Sequence, residues 1–305
     1  MLTLLYSSGS IISFFFGSQI LRYKNIPFTS RLVLFSVALV PLGKLIYLPI
    51  PGMMGLKFQF LFASLVGIIW IINFGINKKM LLSLFPLSMA LISILFLNDF
   101  SHLFFYQYIE LAGYDAGNFT GGRESVLFRF LSIVTLIFYM IAVFSFLQKN
   151  TLNAYLLARY YIYGLVAASI IGIFIFTQVW TGNLSVADLA PISADSHIIG
   201  NFYRFNPGAN VNEFSMLIAF GILLLPFCKF PNYIFISLLI FFALCEFAGL
   251  TRSSWISLFL ALILGALFKE NLMETSLFIL ISFLFVIFIF TLLYINVPEV
   301  EMLIN

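Results

Sequence analysis

Ten apolar runs follow one another along this chain with almost no charge inside them, and nothing else in the sequence limits the fold so strongly. They cover about 4–21, 32–50, 58–76, 80–97, 126–146, 156–180, 212–230, 233–250, 253–268 and 275–295. A helix needs about 20 apolar residues to cross a bilayer core. Backbone in lipid must satisfy its own hydrogen bonds, which leaves helices and closed barrels. The runs here are continuous rather than alternating, so they predict helices. Only 9% of the 305 residues are charged and 62% are hydrophobic, against roughly 25% charged in soluble domains. The expected fold class is all-α: a multi-pass transmembrane helical bundle of about ten spans, one integral membrane domain over 1–305. The mean hydropathy of +1.10 agrees.

The start, Met1-Leu2-Thr3-Leu4-Leu5-Tyr6, lacks a basic n-region, so it reads as a first span rather than a cleaved signal. The second run contains Pro41, Lys44 and Pro49, which predicts a kink. Cys228 and Cys245 fall inside apolar runs and read as small buried hydrophobes. Two histidines, His102 and His197, are too few for a metal cluster. No metal, no cofactor and no nucleic-acid partner are expected.

Charge sorts the connections into two sets. Arg22, Lys24, Arg31, Lys78, Lys79, Lys149, Arg159, Lys229 and Lys269 share one side with only Glu270 and Glu274. The other side carries six bases (Lys44, Lys57, Arg123, Arg129, Arg204, Arg252) against ten acids. The excess of Lys and Arg marks the cytoplasmic side. The two long polar connections, 98–125 and 181–211, then lie outside the cell membrane, as do both chain ends.

Four arginines on that outer side stand out: Arg123, Arg129, Arg204 and Arg252. Snorkelling of a long side chain toward the headgroups accounts for any one of them. It accounts less well for their gathering on the side the inside rule depletes, or for neighbours such as Gly121-Gly122 and Asn206-Pro207-Gly208. Asn212 and Glu213 stand at the start of a span, where free amides and the helix dipole favour an anion. A planar guanidinium fork suits phosphate oxygens, and several forks at a water–lipid boundary fit a diphosphate. Glu246 falls well inside a run, so it is protonated or paired. Arg252, Arg129 and Lys44 are its candidate partners, and Gly249 a candidate helix break. His197 offers a base for a hydroxyl proton.

At these residues the chain resembles a known family. The run Arg204-Phe205-Asn206-Pro207-Gly208-Ala209-Asn210-Val211-Asn212-Glu213-Phe214 is similar to the N-P-N-E-F stretch of the O-antigen ligase and O-antigen polymerase family. Gly249-Leu250-Thr251-Arg252-Ser253-Ser254-Trp255 is similar to that family's T-x-S-R-G-A-W signature one span later. The resemblance covers 200–295, a ligase/polymerase-like region. It implies a multi-pass glycosyltransferase of the bacterial cytoplasmic membrane, metal-independent, that polymerises undecaprenyl-diphosphate-linked oligosaccharide units of an O-antigen or capsule on the outer face. Arg204 and Arg252 match the family's diphosphate-binding, catalytic arginines. Arg123, Arg129, Asn206, Asn212, Glu213 and Ser253 are the expected substrate contacts, and other polysaccharide-assembly membrane proteins the expected partners.

The chain also departs from that pattern. Extra residues separate Pro207 from Asn212, and His197 precedes the motif, so it does not match the family histidine. The family's large loop after the span at 275–295 is missing, which fits a truncated product or a form that works without it. An O-antigen ligase, a polysaccharide-lipid flippase or exporter, and an inactive remnant are the alternatives.

Overall fold

A computed structural model describes residues 2–22, 25–45, 58–75, 89, 93, 122–149, 151–185, 198–199, 202–203, 205 and 211–249. The described chain is helical. Its elements are α1 (Leu2–Leu21), α2 (Phe28–Leu39), α3 (Phe58–Phe74), α4 (Gly122–Lys149), α5 (Thr151–Trp180), α6 (Val211–Leu224) and α7 (Asn232–Gly249). Two 3-10 turns, Val40–Leu45 and Leu225–Cys228, extend α2 and α6. One small antiparallel hairpin joins β1 (Ile198–Ile199) to β2 (Phe202–Tyr203), with Ile198 opposite Tyr203.

Proline explains both 3-10 extensions. Pro41 and Pro226 have no N–H to give and their rings crowd the preceding turn. The α-helix therefore stops just ahead of each and tightens, which is the irregularity expected of the second run. After Pro226 the chain ends its helix at Lys229 in the left-handed region (φ 50°, ψ 43°). The end of α5 uses glycine instead. Gly182 (φ 74°) donates to Val179 O and Asn183 to Gln178 O, the paired bonds of a Schellman cap.

Six of the ten expected spans coincide with α1, α3, α4, α5, α6 and α7, and a seventh with α2 and its extension. The expected span at 80–97 lies outside the described residues apart from positions 89 and 93, and those at 253–268 and 275–295 lie wholly outside them. Among the described residues one helix, Leu152–Trp180, is long and apolar enough to cross a membrane. Shorter apolar helical stretches run over Ile11–Ile20, Phe28–Leu42, Phe62–Phe74, Leu136–Lys149, Phe214–Cys228 and Asn232–Glu246.

The chain divides into two compact units: Met1–Ser18 with Val37–Tyr47 and Ala154–Asn305, and Gln19–Ser36 with Leu48–Asn153. In the second, α3 packs on α4, and Ile141 sits in a cluster with Ile71, Ile137, Phe138 and Met140. Gly67 lets the backbones meet: a Cβ there would stand 2.7 Å from Phe138 C and 2.8 Å from Tyr139 N. The Lys149 ammonium lies 3.2 Å from the Phe74 ring centre and 4.6 Å from that of Trp70. Partial desolvation at this helix end lowers its pKa.

In the first unit a Cβ at Gly164 would collide with the Ala38 carbonyl, and one at Gly221 with Leu165 Cδ2. Small residues at helix crossings permit the close approach on which association in lipid depends.

Candidate functional site: the Trp180 end of three antiparallel helices

α5, α6 and α7 run antiparallel, so chemistry collects at their two ends. At one end stand Tyr155 and Arg159 of α5 and Cys228-Lys229-Phe230 after α6. Arg159 Nε donates to Cys228 O (2.7 Å), and a second guanidinium nitrogen donates to Lys229 O (3.2 Å). These carbonyls terminate a helix and have no partner within it, so a cation there is favoured by both hydrogen bonding and dipole.

The other end is built by Phe176 and Trp180 of α5, the residues around β2, the first turns of α6 and the last turn of α7. Phe205 follows β2 and is buried. Its ring lies 6.4 Å from Phe176 and 5.9 Å from Phe214 of α6. Its N–H donates to Ala248 O at 2.9 Å, satisfying one of the final carbonyls of α7. Gly249 is the last described residue of that helix. A Cβ added to it would lie 3.0 Å from Ser215 Oγ and 3.9 Å from Phe205 O, so absence of a side chain lets α6, α7 and the 205 strand-end converge.

Below this junction α7 presents a buried stripe of Phe242, Cys245, Glu246 and Gly249, spaced as one helical face. Glu246 is fully buried (0% exposed), and Ser169 and Ser215 are buried beside the same helices. The opposite stripe of α7, Tyr233, Ile236, Ile240 and Leu244, is exposed. Polar groups thus face inward while large apolar ones face out.

The expected site residues fall into three groups. Asn212 and Glu213 lie in the first turn of α6, as their position at the start of an apolar run predicts. Arg123 and Arg129 lie on α4. The connection expected over 98–125 therefore ends sooner: α4 begins at Gly122, and Arg123 and Glu124 are helical rather than in a loop. The apolar criterion missed that turn because Arg123, Glu124 and Ser125 are polar, although nothing in them breaks a helix. Arg204, Asn206, His197, Arg252 and Ser253 lie outside the described residues. What the structure joins is their neighbours: Phe205, next to Arg204, and Ala248, four positions before Arg252, share a backbone hydrogen bond.

No family model, curated protein or solved structure matches the chain. Among the described residues no three His, Cys, Asp or Glu side chains gather as a metal site.

Sequence reasoning missed the structural parts of the junction. Phe205 reads as one apolar residue in a polar stretch, and Ser215 as one serine in a helix. Gly249, expected as a helix break, is the last described residue of α7.

Proposed function

We propose that the chain is a multi-pass protein of the bacterial cytoplasmic membrane that polymerises undecaprenyl-diphosphate-linked oligosaccharide units on the outer face. The membrane part rests on inverted polarity. Phe14 (81% exposed), Ile72 (77%) and the outward stripe of α7 stand exposed, while Glu246, Ser169 and Ser215 are buried. Large apolar side chains turned outward over buried polar ones are what lipid, not water, accommodates. Dimensions agree: α6 has 14 residues and its 3-10 extension four, together about 29 Å, close to the roughly 30 Å hydrocarbon core. By the charge rule, the Arg159–Lys229 end is cytoplasmic and the Trp180 end outer.

One observation carries the enzymatic reading: the Phe205 N–H to Ala248 O bond. It ties the chain segment of Arg204 to the helix end that leads into Arg252, two motifs 48 residues apart in sequence. Two guanidinium forks brought to one boundary would match the oxygens of a diphosphate. Each charge-assisted bond contributes about 1.5–3 kcal/mol, and bonds that strengthen as negative charge builds on the leaving group accelerate transfer.

In the reaction an acceptor hydroxyl oxygen attacks the anomeric carbon of the lipid-linked glycan. The bond from that carbon to the diphosphate oxygen breaks, its electron pair leaving with the lipid diphosphate held by Arg204 and Arg252. The hydroxyl proton passes to a base, for which His197 is the candidate. Asn212 and Glu213, in the first turn of α6, and Asn206 and Ser253 beside the two motifs orient the glycan.

The test is surface-glycan length in a deletion strain complemented with wild type, Arg204→Ala or Arg252→Ala. The reading expects single repeat units in the deletion and in both variants, with normal membrane levels of protein. Loss of attached polymer with lipid-linked polymer retained would assign a ligase instead. Unchanged glycan in the deletion strain would refute both.

A further inference from the structure

We propose that the opposite, Arg159 end of α5–α7 carries a site for the phosphate headgroup of an anionic phospholipid. The inference rests on the membrane reading above and not on the glycan chemistry. Two cations gather there, one from α5 and one just after α6. The Arg159 guanidinium bonds to the backbone of Lys229 itself (Nη2 to Lys229 O, 3.2 Å), and the Lys229 ammonium stands 4.0 Å from the Tyr155 ring centre. Among the described residues no carboxylate pairs with either. Like charges gathered at one end of the same helices repel one another, the more so next to a low-dielectric slab. An anion bound at that end relieves the repulsion.

The donors fit a phosphate. A guanidinium has five N–H groups, and the two bonds to Cys228 O and Lys229 O leave three. Those bonds, with the Phe230 ring 5.5 Å from the Arg159 carbon centre, fix the fork in place before any ligand arrives. Lys229 is fixed by its left-handed backbone (φ 50°) and by the Tyr155 face, which holds the cation without using its hydrogen bonds.

The surroundings select a lipid over a soluble ion. Phe227 (58% exposed) and Tyr233 (71% exposed) lie on either side of Lys229 in the chain, and aromatic residues of this kind settle at the headgroup boundary. The cytoplasmic leaflet is rich in anionic lipid, and basic pockets between spans on that side take such headgroups.

The experiment uses the full chain in nanodiscs of phosphatidylcholine with rising fractions of phosphatidylglycerol, read by thermal unfolding. Wild-type Tm should rise with phosphatidylglycerol and saturate. Lys229→Gln removes one exposed charge and no backbone bond, and should need about fivefold more phosphatidylglycerol for the same shift. Arg22→Gln, an exposed cation elsewhere on the cytoplasmic side, should behave as wild type. A Lys229→Gln curve that overlies wild type, or a wild-type Tm indifferent to phosphatidylglycerol, would overturn the site. Millimolar inorganic phosphate reproducing the shift in pure phosphatidylcholine would overturn the lipid assignment. None of these outcomes bears on glycan length, so the site fails or stands separately from the polymerase reading.

Discussion

Replacing Gly67 by alanine sets two effects of opposite sign against each other. Alanine favours a helix interior over glycine by about 0.8–1.0 kcal/mol, so an open site would be stabilised. At Gly67 the new Cβ would stand 2.7, 2.8 and 2.9 Å from Phe138 C, Tyr139 N and Phe138 O. Carbon contacts are optimal at about 3.5–4.0 Å. These neighbours are backbone and cannot rotate aside, so α3 and α4 must part by about 1 Å. A gap of that size forfeits a quarter to a half of each dispersion contact. A gap near 1 Å is the upper end of that range, so over roughly 40 atom pairs at 0.1–0.2 kcal/mol each the loss is about 2–4 kcal/mol. The net expectation is destabilisation by about 1–3 kcal/mol. Equilibrium unfolding in mixed micelles measures it, with Gly221→Ala alongside. There the Cβ meets side chains rather than backbone, Leu165 Cδ2 in front and Ile162 Cδ1 and Tyr161 Cε1 at the ordinary contact distances of 3.6 and 3.7 Å; Leu165 can give at its far end, so the result should be much milder than at Gly67. A Gly67→Ala protein at least as stable as wild type would refute the backbone contact between α3 and α4.

Removing the fork of Arg159 should also be costly. Arg159→Gln loses charge-assisted bonds to two terminal carbonyls, each contributing about 1.5–3 kcal/mol, and a reduced Tm is expected. Arg159→Lys should recover only part of it, since one ammonium cannot reproduce the fork; full recovery by lysine would show that charge alone matters. Cys228 and Cys245 are both free and buried. Maleimide should label them only on unfolding, and rapid labelling of either in the folded protein would contradict the packing of α6 and α7.

Much of the helical architecture was legible from apolar runs, because a long continuous apolar run must satisfy its backbone hydrogen bonds within itself and has few alternatives to a helix. Pro41 marked its helix irregularity for a local reason: it changes what its own backbone can do. Helix starts were less legible. Arg123 and Glu124 are polar, and polarity marks solvent or headgroup rather than the end of a helix.

For the site, the sequence alone determined that arginines and asparagines border apolar runs at Gly200–Phe214 and Thr251–Trp255, since charge in such a chain is too costly to be placed without a reason. It also determined Cys228 and Cys245 as apolar-run residues. Only the tertiary structure decided what lies against what. Phe205 caps α7 through Ala248, Gly249 meets Ser215, and Arg159 closes the end of α6. These are pairings between residues tens of positions apart, fixed by which helix faces fit together at close range, and a one-dimensional pattern of hydrophobicity holds no record of them.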